Sequence, residues 1–273
     1  MGFVGASAHV STFFAILASG FRRYATYRQA TVAAAATNSM FGFLRTYVLL
    51  AAVATVGVAA GYSGEQLTTY VWVGQGLIGV VTFWGWFDLA DRIRDGEVVA
   101  DLLRPIHPVT SYLAADLGRA AHAVLVRFLV PLGVGALFFD LYVPRRPGTY
   151  PLFVLSTVLA VVVSFGCRYL VNSSAFWLLD IRGANLLWLL VSGVPSGLFF
   201  PVRFLPDWLA TLLLLATPFP SMLQTPLDVA VERDPLSRSL ALVGLQVAWA
   251  VVVLVACWAV QRLAERKLVI QGG

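Results

Sequence analysis

Eight charged side chains fall between Asp88 and Arg104, among them five of the chain's fourteen acidic residues. The runs on either side are almost purely apolar. Within this cluster Val98, Val99, Leu102, Leu103 and Ile106 recur at helical spacing and form one apolar stripe. Arg92, Arg94, Asp95, Glu97, Asp101 and Arg104 supply the charge, mainly off that stripe. Gly96 permits a bend, and Pro105 and Pro108 stop the helix. The chemistry open to such a segment is recognition. A helix lying on anionic lipid displays a Lys/Arg-rich face, whereas this one carries more acids than bases, which suits docking to a protein.

Other reactive constellations are thin. No GxxxxGK[ST] motif occurs, so the chain has no loop to cradle nucleotide phosphates. "GVPSG" at 193–197 lacks the spacing of a serine-hydrolase elbow, and Ser196 with His122 makes a poor catalytic pair. Asp180 and Arg182 suggest a local ion pair or a subunit contact. Cys167 and Cys257 lie in apolar runs, and no Cys/His spacing suggests a metal site. No cofactor is expected within the chain.

The elements that carry these residues follow from composition. The chain has 273 residues, 59% hydrophobic and only 12% charged, with a mean hydropathy of +0.81. An ordinary soluble domain is about 25% charged, so lipid is the natural solvent here. Of nineteen basic residues only Lys267 is a lysine, and the arginines punctuate apolar runs, which argues against nucleic acid as a partner. Six windows approach the ~20 apolar residues that a bilayer requires: 31–60, 68–88, 113–139, 150–171, 184–200 and 241–261. The run from Trp208 to Ala216 is too short, and the prolines around it suggest a re-entrant or interfacial hairpin. Continuous apolar runs exclude a transmembrane barrel. With six spans, Arg22, Arg23, Arg28, Arg92, Arg94, Arg104, Arg119, Arg182, Arg262, Arg266 and Lys267 share the side of the termini, against Arg145, Arg146, Arg203, Arg233 and Arg238. That bias places both termini in the cytoplasm.

Polar residues within the windows are sparse. Arg45, Gln75, Arg127, Ser164 and Gln246 are candidates to line a path, with Asn38, Ser39 and Thr82 beside them; each could equally be an interhelical hydrogen bond. In this topology Arg45, Arg127 and Arg168 all fall in the cytoplasmic half, where they either snorkel to headgroups or face a polar cavity.

Several stretches together resemble the permease subunit of ABC-2-type exporters, in the branch of bacterial multidrug and related export systems. They are "RRYATYRQA", "TNSMFGFLRTYVL", "TYVWVGQGL", "RIRDGEVVADLLRPIHPVTSYLAADLGRA", "SSAFWLLDIRGAN", "SGLFFPVRFLPDWL" and "TPFPSMLQTPLDV". The resemblance implies a single all-α membrane domain over 1–273, with an amphipathic cytoplasmic segment over 1–30. Residues 91–106 would be a coupling helix seated on an ATP-binding subunit, and 201–239 an external re-entrant region. It also implies a bacterial inner-membrane location, a second permease (a paralogue more than an identical copy), and ATP with Mg held by the partner subunits. The competing class is a membrane scaffold or assembly factor that transports nothing.

Overall fold

A computed structural model describes residues 2–26, 28–56, 60–178 and 180–271, with side chains over 10–26, 32–54, 60–178 and 180–266. Residues 57–59, at the end of the first window, and the side chains of Arg28 and Lys267 lie outside this description. The described residues are mainly helical and contain no strand. In chain order the helices are α1 (Gly2–Ala25), α2 (Arg28–Val56), α3 (Gly64–Val81), α4 (Asp88–Arg94), α5 (Val98–Leu102) and α6 (Pro108–Ala123). They continue as α7 (Leu129–Phe138), α8 (Thr149–Ser173), α9 (Arg182–Gly193), α10 (Asp207–Ala216), α11 (Gln224–Ala230) and α12 (Leu236–Gln271).

Helix α3 is the axis of the bundle. It has apolar or small residues on every face, the pattern of a helix surrounded by protein, and fourteen of its eighteen residues are buried. Ser63 and Gln66 start it with a reciprocal capping box. At 1.5 Å per residue it is about 27 Å long. Helices α2, α6, α7, α8 and α11 pack around it. A π-helical turn, Val124–Phe128, joins α6 to α7 in one rod. Helix α1 lies along α6 at a backbone-to-backbone crossing. A methyl group added at Gly118 would lie 2.0 Å from the Leu17 carbonyl oxygen, so only glycine admits this approach.

Three rods are long and apolar enough to cross a membrane among the described residues: Pro108–Phe138, Thr149–Phe176 and Leu236–Arg266. They coincide with the third, fourth and sixth windows. The fifth window, 184–200, is not one continuous span. Its helix α9 has twelve residues, about 18 Å against the ~30 Å of a hydrocarbon core. Beyond Gly193 the chain turns back through Gly197, at φ +83°. Helix α10 is a further short apolar helix.

Candidate functional site

The charged segment folds as two short helices, α4 and α5, instead of one continuous helix. Gly96 sits between them at φ +79°, where a side chain is disfavoured. The predicted apolar stripe divides accordingly. Val98 and Ile106 are buried, while Val99 and Leu103 are exposed. The charges divide too. Asp101 is buried and holds the hairpin closed. Its carboxylate accepts Arg92 Nε at 2.8 Å, Arg92 Nη2 at 3.1 Å and the Tyr112 hydroxyl at 2.8 Å. Arg92 also reaches the Glu97 carboxylate at 3.1 Å. Asp91, Arg94, Asp95, Glu97 and Arg104 remain at the surface beside Leu103.

Directly behind the hairpin lies a buried ion triad. Asp116 Oδ1 accepts Arg119 Nε at 2.7 Å, and Asp116 Oδ2 accepts Arg168 Nη2 at 2.7 Å. Arg119 then donates to the carbonyls of Gly79 (3.1 Å) and Val80 (2.9 Å). These are among the last carbonyls of α3, which lack intrahelical partners, and a cation suits that end of the dipole. The irregular backbone from Thr82 to Phe87 is also held by side chains. Ser164 Oγ donates to the Thr82 carbonyl, Trp188 Nε1 to Phe83 and Asn172 Nδ2 to Trp86, while Asn172 Oδ1 accepts from the Ala90 amide. Arg168 lies over the Trp86 ring. Irregular backbone away from water needs such partners. They come from α8 and α9, so α4 is tied to the core through side chains of two helices.

The candidate path residues separate into two groups. Ser164 and Gln246 are buried and engaged. Ser164 serves the Thr82 carbonyl, and Gln246 donates to the Ser156 and Ser221 carbonyls while accepting from Ser156 Oγ. Gln75 is buried on α3, where its carbonyl accepts from Asn38. Ser39 donates to the Ala35 carbonyl. Arg127 rides on the π-turn, its stem over Gly79. Arg45 has a buried Nε without a partner. The expectation that Arg45, Arg127 and Arg168 share one half of the bundle fails for Arg45. Its neighbour Gly42 packs against Trp72, Asn38 pairs with Gln75, and Arg45 lies within electrostatic reach of Tyr70. That level is nearer the Gly64 end of α3, whereas Arg127 and Arg168 sit at the Val81 end.

At the Gly64 end a second buried polar cluster forms. Gln224, at the start of α11, accepts from Tyr70 Oη (2.9 Å) and the Val202 amide (2.7 Å) through Oε1. Through Nε2 it donates to Tyr62 Oη (3.0 Å) and Asp228 Oδ1 (2.7 Å). Tyr62 also donates to Asp228. Arg203 lies 3.5 Å from Asp228 Oδ2, yet neither that oxygen nor Arg203 Nε has a hydrogen bond. Beside them Glu232 accepts from Thr149 Oγ1 (2.6 Å), Tyr142 Oη (2.8 Å) and the amides of Arg145 and Arg146. Burial alone would raise its carboxyl, but these bonds outweigh it and hold the group down at about 2.

Asp116 and the Gln224 cluster were not among the residues singled out in the sequence. An acid three positions before Arg119 inside an apolar window was the available signal for the first. The second joins residues more than 150 positions apart and leaves no local pattern. Of the other expectations, Cys167 and Cys257 are buried, and Asp180 pairs with Arg182 at 2.7 Å. The Arg182 hydrogen bonds hold the Asp180 carboxyl below the usual range. Ser196 Oγ donates to the Gly193 carbonyl, and His122 meets Phe21 edge-on.

A family model described as ABC-2 family transporter protein matches residues 38–272. No curated protein and no solved structure matches the chain. With that match running from the middle of α2 to the end of α12, through both polar clusters and the charged hairpin, the chain belongs to the ABC-2 family of transporter membrane proteins.

Proposed function

We propose that this chain is the permease subunit of an ATP-driven exporter. In this reading the α4–α5 hairpin is the coupling element, and it seats on a separate ATP-binding subunit that holds ATP and Mg. The observation that carries the reading is the hairpin's construction. Its outer face mixes exposed acids and bases around Leu103, while its inner face is locked by Arg92, Asp101 and Tyr112. A surface of that kind offers an apolar anchor within a charged rim, as protein interfaces do. Asp101 therefore acts inside the hairpin, and the contact falls to Arg94, Asp95, Glu97, Leu103 and Arg104, with Gly96 setting the bend.

The chain would cross the bacterial cytoplasmic membrane six times, with α2 and α3 as the first two spans and the short α9, extended by the turn beyond it, as a broken fifth. The chain between α9 and α12 would then dip into the outer leaflet and return. A second permease, a paralogue in preference to an identical copy, would complete the path. ATP-driven closure of the subunits below would push the hairpin and bias the helices between two packings, as alternating access requires. The test is purification in mild detergent. An ATP-binding subunit should accompany the wild-type chain and be lost from Leu103→Arg. Recovery of a different enzyme, with no ATP-binding subunit, would favour a scaffold instead.

A further inference from the structure

The cluster at the Gly64 end of α3 has the construction of a releasable clasp. After α9 the chain turns at Gly197 and runs through Val202 and Arg203 as a strap across the ends of α3 and α11. A methyl group added at Gly197 would fall 2.6 Å from both Tyr70 Oη and Gln224 Oε1, so the strap lies directly on these groups. Its polar ties converge on one side chain. Gln224 accepts the Val202 amide, its own amide donates to the Ser196 carbonyl at 2.9 Å, and Tyr70 Oη reaches both Gln224 and the Gly197 carbonyl.

Underneath, the ionic contact is unfinished. Asp228 Oδ2 and Arg203 Nε are buried 3.5 Å apart with no hydrogen bond, and Arg233 Nε is likewise unpartnered. Buried polar groups in a settled core are nearly always satisfied, so these unpaired atoms, gathered around one carboxylate beneath the strap, mark the least firmly held contact of the cluster. Tyr62, Tyr70, Arg203, Arg233 and Asp234 are the ionisable groups around Asp228. None of them completes its second oxygen.

We infer that the stretch from Ser196 to Phe204 is a hinged strap, closed by Gln224 and released about Gly197, which covers the end of the bundle away from the coupling hairpin. This deepens the export reading, since a strap at that end would guard the exit of a path. The experiment needs no ATP-binding subunit, so its result stands apart from the purification test.

In a chain with Cys167→Ala and Cys257→Ala, a single cysteine is introduced either at Val202, which is fully buried under the clasp, or at Ala160, which is fully buried in α8. A water-soluble maleimide then reports exposure. With the clasp intact both positions label slowly. Adding Gln224→Ala should speed labelling of Val202→Cys at least tenfold and leave Ala160→Cys unchanged, with Tyr70→Phe giving a smaller rise. If Gln224→Ala leaves Val202→Cys protected, or exposes both positions together, the strap is fixed structure and the inference is wrong.

Discussion

The two buried polar clusters sit at opposite ends of the same helix and are built differently. At the Val81 end both oxygens of Asp116 are taken by arginines, and those arginines go on to α3 and α8. At the Gly64 end Asp228 has one oxygen taken and one left over, and the surrounding bonds pass through a neutral glutamine. Neither cluster is complete, since Arg168 Nη1 also lacks a partner, but only at the Gly64 end does the buried carboxylate keep an unpaired oxygen. A carboxylate braced through both oxygens holds its neighbours more firmly than one braced through a single oxygen. The comparison assigns more stiffness to the end that carries the α4–α5 hairpin, the proposed coupling element, and more compliance to the end that carries the proposed strap. A lever needs that division, because a push is transmitted only by the part that does not yield.

The largest expected effect tests the stiff end. Asp116→Ala strands two buried guanidinium groups and should cost about 3–5 kcal/mol, read as a fall in thermal stability in detergent. A cost below about 1 kcal/mol would mean the triad is not a rigid brace. At the other end Gln224→Ala removes the acceptor of Tyr70 and the Val202 amide while sparing every charge. It should cost about 2 kcal/mol, and a loss as large as that of Asp116→Ala would erase the proposed contrast.

Glu232 offers a similar-sized effect with a pH signature. Its folded-state carboxyl is held at about 2, below the ordinary value near 4.3. The stability it contributes is therefore complete above about pH 4.3 and lost as pH falls through about 2. Glu232→Gln should cost about 2 kcal/mol at neutral pH and flatten stability across that acid window. An unchanged pH profile would mean Glu232 does not hold the start of α8. The smallest effect belongs to the hairpin surface. Asp91 and Arg94 form an exposed pair at 3.1 Å, so Asp91→Ala should shift stability by less than about 1 kcal/mol. A larger loss would show that the outer face is braced like the inner one.

Much of this arrangement is legible in the chain, and the parts that are not share a physical reason. Apolar length alone locates the rods of α6–α7, α8 and α12, because a long helix in lipid needs an unbroken apolar run. Charge density locates the hairpin, and Gly96 marks its bend. What pattern reading misses is how polar groups inside the bundle are consumed. Ser164 and Gln246, as polar residues in apolar windows, could line a path or bond between helices, and the sequence does not choose between the two roles. Their hydrogen bonds to Thr82, Ser156 and Ser221 depend on α8 meeting segments far away in sequence. Asp101 resembles its exposed neighbours in composition and is distinguished by Arg92 and by Tyr112, eleven residues further on in α6. The fifth window reads as a span because its residues are apolar, while Pro195 and Gly197 end its helix after about half the needed length. Arg45 is assigned to the same half as Arg127 and Arg168 by its position in an overlong window, whereas its level follows from Trp72 packing on Gly42.

The central claim is that the α4–α5 hairpin is where ATP-derived force enters. The most direct measurement is ATP hydrolysis by the purified complex in lipid nanodiscs, comparing wild type with Arg104→Glu and Gly96→Pro at equal membrane insertion. Proline cannot adopt the positive φ of Gly96, so that variant distorts the hairpin without touching either buried cluster. The account predicts that both variants lose the permease-dependent share of hydrolysis while the helical bundle keeps its thermal stability. Wild-type hydrolysis in both variants, with the ATP-binding subunit still bound, would contradict it.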